Sequence, residues 1–394
     1  MTDNTAHEIK HSPLESTHVG LGATMVEFAG WNMPLKYTSD LEEHRAVREV
    51  AGLFDLSHMG EFTVAGVDAA ALLNYVFLLD ANKLSVGRAK YTHLVNADGT
   101  IIDDLIIYRL GEQEFFIVPN AANTAVDWET LSARAAEPQP EGYPDPGAAF
   151  DVRVVNQSDE LSNIAIQGPQ SEAILSRLIP AAQHEQLSAL KYYAAEWFDV
   201  AGMRLLVGRT GYTGEDGFEI YAPFPNATQL WDALMEAGQP EGLIPAGLAS
   251  RDSLRLEAGM PLYGDELTAE LTTVDAGMRG IVGKEKVGDF YGRALLNLPV
   301  SDRKLVGLNG TGRRAARHGT ELYVPADAAA PGADAAAPIG HVTSGLLSPT
   351  LGYPIALAYV DRTHSELGTV IEADIRGKRY PMTVVKPPFY TREQ

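Results

Sequence analysis

The chain has 394 residues, 45% hydrophobic and 21% charged, an ordinary globular composition long enough for two or three domains. Its 52 acidic against 31 basic residues give a formal charge of -21, which argues against nucleic acid or an anionic membrane as the main partner. Cysteine is absent, so disulfides, thiolate metal sites, iron–sulfur clusters and a cysteine nucleophile are excluded together.

The first residues, MTDNTAHEIKHSPLESTH, are polar and acidic, with neither the apolar core of a secretory leader nor an Arg-rich amphipathic helix. No run of about 18 apolar residues occurs, so a cytoplasmic protein without membrane spans is expected. DLEEHRAVREVAG (40–52) predicts a helix with Asp40 as N-cap, Glu43 at the capping-box position and Gly52 at its end. LFDLSHMGEFTVAG (53–66) reads as one strand, and Asp68 opens a short helix over DAAALLNYVFLL. Between Tyr91 and Val118, extended runs flank the turn signal NADGT. A helix follows over 123–137, then a Pro/Gly-dense loop over 138–149. Strands are expected near 151–155 and 162–167, a turn at Gly168-Pro169 into a helix, and further helices over 226–238 and 249–260. From about Leu305 short strands with turn residues predict an all-β module, in which the low-complexity 325–338 reads as a flexible hairpin insertion. Antiparallel-looking strand pairs with intervening helices favour an α+β class over a doubly wound sheet.

Nucleotide-loop, HExxH and GxSxG signatures are missing, and the histidines form no close ligand pair, so no metal is expected. Three constellations remain. In GTIIDDLIIYRL (99–110) the adjacent Asp103 and Asp104 point to opposite faces of a strand, so one of them faces an interior. Either one acid is merely solvated and the other locally paired, or Asp104 and Tyr108, on one face, enter a cavity suited to a flat polar heterocycle. RTGYTGEDGFEI (209–220) is either a long turn entering a strand or a backbone approach to a ligand, with a carboxylate receiving paired donors. In GLASRDSLRLEAGMPLYGDEL (247–267), Arg251 and Arg255 share a helix face. They are either solvent-side partners of Asp252 and Glu257 or guanidiniums for an anionic ligand group.

In this order, together with FAGWNMPLKY, AGLFDLSHMGEF, NAAN, IQGPQ, TSGLLSPTLGYPIALAYV and VVKPPFY, these stretches resemble the glycine cleavage system T-protein family, the tetrahydrofolate-dependent aminomethyltransferases. The resemblance runs from about residue 12 to residue 391. It implies an α+β fold of three domains arranged as a cloverleaf, with mainly antiparallel sheets and a C-terminal barrel-like all-β domain. The divisions expected are 1–55 with 150–250, 56–149 with 251–290, and 300–394. It further implies tetrahydrofolate as co-substrate, no metal or flavin, and a lipoylated H protein as partner.

Carried over by position, Asp104 is the catalytic acid, accepting or orienting a proton and stabilising a developing cation. Glu219 grips the pterin's donor edge, Tyr91, Met59, Tyr108 and Tyr192 wall the folate pocket, and Arg251 stands at the ligand channel. Asn120, Tyr263 and Tyr390 complete the carried-over candidates; separately, at a net charge of -21 any basic docking patch for the H protein is expected to be local, with Arg88 and Lys90 as members. The chain departs from the family in GLASRD, where GLGARD is common, and in Pro119, which predicts an edge strand or bulge. A cluster-assembly folate binder would carry a cysteine motif near 259–266, and a folate-dependent demethylase is fused to a flavin domain; neither feature is present.

Overall fold

The structure is a computed structural model and describes residues 9–325 and 337–392. Apart from its end residues, the expected hairpin insertion lies outside them. The architecture is α+β; the described residues form three open sheets of three, six and five strands and one closed six-stranded barrel. Among the described residues, all strand pairs are antiparallel except Lys10–His11 beside Trp31–Lys36 and Ile244–Pro245 beside Gly52–Asp55.

The five-stranded sheet runs, in spatial order, Ala89–Val95, Ile101–Gly111, Glu114–Val118, Phe62–Ala65 and Arg153–Asn156. The period of two is visible in its second strand, where Ile101, Asp103, Leu105 and Ile107 all point into the protein. That face packs on the helices Ala69–Val76 and Thr124–Ala135 through Leu72, Val76 and Leu131. The six-stranded sheet takes Gly52–Asp55 from before the five-stranded one and Leu161–Gln167, Ala195–Val200, Met203–Gly208, Gly217–Pro223 and Ile244–Pro245 from after it. Its core centres on Ile164, Phe198, Phe218 and Trp231, each side chain contributing about 1.5–3 kcal/mol by leaving water. A third cluster, Tyr108, Phe116, Leu206 and Tyr221 among it, fills the seam between the two sheets.

Three sequence expectations are corrected. The stretch 53–66 is two strands, Gly52–Asp55 and Phe62–Ala65, in different sheets. Asp55 turns the chain by accepting from the Ser57 amide (2.9 Å), and the Leu56 amide bonds Asn163 O (2.8 Å). The helix Asp40–Glu49 is capped by Ser39, whose Oγ accepts from the Glu42 amide (3.1 Å), not by Asp40. Glu43 instead receives the amides of Tyr37, Thr38 and Gly247, and Gly52 opens the next strand. Pro119 lies one residue past the central strand Glu114–Val118, where its missing N–H costs no ladder bond.

The barrel closes in the order Arg303–Gly310, Pro354–Asp361, Gly340–Leu347, Glu321–Tyr323, Val370–Asp374, Arg379–Val385. It is fastened to the rest by the helix Leu248–Glu257. Arg255 bonds Glu266 (2.8 Å) and Ser344 (2.8 Å), while Glu257 receives Arg48, Ser348 and Thr350.

Candidate active site

The turn 56–60, the paired strands at 91 and 104, the loop 118–122, the six-stranded sheet and the segment 248–263 converge on a cavity of about 460 Å³. Met59, Tyr91, Asp104, Asn120, Glu219, Arg251 and Tyr263 all line it. A larger hollow of about 700 Å³ lies between residues 265–303 and the barrel, but none of the site residues expected from the sequence reaches it.

The two acids of the strand Ile101–Gly111 have separate tasks. Asp103, on the helix-covered face, accepts from the Asn120 amide (2.9 Å) and side chain (3.0 Å) and from Asn123 (2.6 Å). It thereby fixes the turn into the next helix. Behind it, neither carboxyl oxygen of buried Asp127 meets an N–H or O–H donor among the described residues. Burial and the charges of Asp103 and Asp104 push Asp127 well above the ordinary carboxylate range. That environment favours the protonated form of Asp127. Asp104, on the other face, accepts from Tyr91 (2.9 Å) on one oxygen and from Asn120 (2.9 Å) on the other. Burial and the charge of Asp103 push its carboxyl up to about 7, against the pull of those two donors. A carboxyl near neutrality can take or return a proton at working pH.

Glu219 stands across the cavity on the strand Gly217–Pro223. Its Oε2 accepts from Thr210 (2.7 Å), Tyr221 (3.3 Å) and Tyr108 (3.4 Å), while no donor among the described residues bonds Oε1. Arg251 lies over the Tyr212 ring at 4.8 Å and forms no ion pair among the described residues. Burial pulls it below the usual guanidinium value, with Glu219 opposing that shift. Burial of His58, with the charge of Arg251, lowers that imidazole to about 4, so the ring is neutral.

Three expected residues fall elsewhere. Tyr108 is buried behind the cavity, where its hydroxyl meets Thr210 (2.7 Å) and supports Glu219. Tyr390 stacks against Arg48 (4.1 Å). Tyr192 is 40% exposed, and the cavity wall is the next residue, Tyr193. Its φ of 58° breaks the alternation that sequence reasoning would assume. Arg88 is spent on the Tyr192 carbonyl (3.0 Å), while Lys90 is exposed. Tyr212 of the Gly-rich stretch also lines the cavity, as do His58 and Asn163, which carried no signal of their own. Two glycines of the Gly-rich loop owe their identity to a protein neighbour. A Cβ on Gly211 or Gly217 would come within 2.0 or 2.5 Å of the buried Gln167 side chain. That amide holds Thr210 O (3.0 Å) and Thr213 (2.9 Å).

Among the described residues no group of three or more His, Cys, Asp or Glu is arranged to hold a metal, and no helix is long and apolar enough to cross a membrane. Residues 14–286 match the GCVT N-terminal domain, and residues 303–391 match the glycine cleavage T-protein C-terminal barrel domain. The aminomethyltransferase of Saccharopolyspora erythraea is 49% identical over 97% of this chain and 98% of its own. That of Streptomyces avermitilis is 49% identical over 98% of each. The crystal structure of glycine cleavage system aminomethyltransferase T from Bartonella henselae covers 97% of this chain and 98% of its own, with 35% identity and a TM-score of 0.81. The chain belongs to the glycine cleavage T-protein family. Within that family it is an aminomethyltransferase of the glycine cleavage system.

Proposed function

We propose that the cavity binds tetrahydrofolate and that the enzyme delivers to it the methylene of an aminomethyl group carried on the lipoyl arm of an H protein. The products are 5,10-methylenetetrahydrofolate, ammonia and the dihydrolipoyl arm. The observation that carries this reading is one aromatic-lined cavity with a pinned carboxylate, Glu219, and a near-neutral acid, Asp104, on different walls. Bound folate supplies the two nitrogens that receive the methylene.

Glu219, held through Oε2, offers Oε1 to the amino and ring N–H donors of a pterin. Tyr91, Tyr193 and Tyr212 wall the flat ring system, and Arg251 meets an anionic ligand group at the channel. Asp104, aimed by Tyr91 and Asn120, takes or returns the proton at the reacting nitrogens. As a carboxylate it stabilises the cation that forms as ammonia leaves, in surroundings where water screens little. The acidic, cysteine-free composition suits a cytoplasmic enzyme.

The test is methylenetetrahydrofolate formation from tetrahydrofolate and aminomethyl-loaded H protein. Asp104→Asn should lose roughly 100- to 10,000-fold in transfer while binding folate nearly as well as wild type. Glu219→Gln should weaken folate binding roughly 10- to 100-fold, the loss of a charge-assisted bond. Wild-type binding without turnover would point to a folate-binding module, and no folate binding would end the reading.

A further inference from the structure

Behind the Tyr91 hydroxyl lies a second layer of side chains. His93 sits directly opposite Asp104 in the strand register and is fully buried. Its Nε2 is 3.3 Å from Tyr91 Oη, and its Nδ1 is 3.0 Å from Oγ1 of buried Thr273. These links run in one direction. Tyr91 has a single proton and gives it to Asp104 (2.9 Å), so toward His93 it can only accept. Nε2 therefore carries the imidazole hydrogen, and Nδ1 accepts from the Thr273 hydroxyl. Burial lowers His93 to about 3, which keeps the ring neutral and the tautomer single. Three donors thus point in series at one carboxylate oxygen, each polarising the next.

We infer that His93, fixed by Thr273, is a positioning residue that holds the Tyr91 hydroxyl proton on Asp104 and so favours the ionised carboxylate. This rests on the assignment of Asp104 as the catalytic acid. A hydrogen bond to the charged form of an acid lowers its pKa, so removing the support raises it. Titratable groups reach Asp104 from several elements. Asp103 lies on its own strand, Asp127 on the helix Thr124–Ala135, and Tyr91 and His93 on the neighbouring strand. Tyr193, Tyr212 and Tyr263 face it from segments beyond the sheet. Of these, His93 is the one that acts on Asp104 only through another residue's hydroxyl.

The experiment follows the carboxyl carbon of Asp104 by NMR in the full-length protein labelled with ¹³C-aspartate, the resonance being assigned by its absence in Asp104→Asn. In His93→Leu the titration midpoint should move up by about 0.5–1 unit, the worth of one neutral hydrogen bond. Thr273→Val, which exchanges a hydroxyl for a methyl, should move it the same way by less, and His93→Gln, which keeps an N–H at the same reach, should restore it. The acid limb of kcat/KM for methylene transfer should follow the midpoint in each variant. An unchanged midpoint in His93→Leu overturns the proposal. So does an unchanged midpoint in Thr273→Val, should the leucine variant not fold, or a glutamine variant that behaves as leucine does. Retained transfer in Asp104→Asn would instead overturn the catalytic assignment, and the NMR midpoints would still decide the role of His93.

Discussion

Replacing Asp104 by Asn removes a group that destabilises the fold at neutral pH, so the Asn variant should be the more stable protein there. The sign follows from linkage. An unfolded aspartate ionises near 4, whereas burial and the charge of Asp103 push Asp104 up to about 7 in the native state. Between those values the native protein holds a proton that the unfolded chain has lost, so wild-type stability falls as pH rises and levels off above 7. From pH 5 to pH 7 that is two units at 1.36 kcal/mol each, an upper bound of about 3 kcal/mol. Asp103 shares the titration, which brings the effect to about 1–3 kcal/mol. Asn keeps the shape and Asn120 can still donate to its oxygen. Its amide can donate to the Tyr91 hydroxyl if that proton turns to His93 and the imidazole hydrogen moves to the nitrogen facing Thr273. Urea unfolding of both proteins at pH 5 and pH 8 measures the effect, because titrating groups that do not interact with Asp104 cancel in the difference between them. A stability gap between variant and wild type that stays constant or narrows from pH 5 to pH 8 would refute the reasoning.

Glu257 should behave in the opposite sense. Burial alone would raise it, but His44, Ser348 and the charge of Arg48 outweigh burial and hold it at about 2. Its stabilisation is therefore complete above the unfolded value and lost as pH falls toward 2. Glu257→Gln breaks a buried pair with Arg48 and should cost about 3–5 kcal/mol at pH 7. The cost should shrink at pH 3 in the same unfolding measurement, and a pH-independent cost would contradict the ion-pair account. Gly217→Ala places a methyl 2.5 Å from the Gln167 amide and 2.7 Å from the Ile166 carbonyl, two residues before Glu219. It should destabilise by about 1–3 kcal/mol and weaken folate binding in a titration, and wild-type values for both would show that the crowding relaxes freely.

The sequence patterns that translated directly into structure are those whose cause is local. The turn NADGT, the Gly168-Pro169 break and the Pro/Gly loop at 138–149 separate elements close to their expected places, because turn chemistry acts within a few residues. Residues 53–66 failed as a single strand for a non-local reason. Both halves are apolar and extended, and only their pairing with different partners, Leu161–Gln167 for one and Glu114–Val118 for the other, separates them. The same contrast explains the site. Alternation was enough to put Asp103 and Asp104 on opposite faces, and the family resemblance then named one of them. The resemblance set Tyr192 at the wall, where the structure places Tyr193, and the left-handed backbone at Tyr193 is set by long-range bonds. The Tyr193 amide bonds Arg209 O (3.0 Å), and its carbonyl receives the Ala89 amide (2.8 Å).

What the sequence could not display is the set of groups that act through another side chain. Glu219 and Asp104 are unusual residues for sheet interiors, so their types alone invited a functional reading. His93 and Asp127 carry no such mark, since a histidine in a strand or an acid in a helix has many ordinary explanations. Their significance exists only in the folded register. The strand register sets His93 opposite Asp104, and the helix Thr124–Ala135 brings Asp127 near Asp103, so one acid is supported by a chain of donors and the other is flanked by a second buried acid. The two surroundings work against each other at Asp104. The Tyr91 chain favours the ionised form, whereas burial and the charge of Asp103 push Asp104 toward protonation. A carboxyl poised between a donor chain and a buried charge can be retuned in either direction by a side chain that never meets the ligand, which is why the residues governing its protonation lie outside the motifs that identify it.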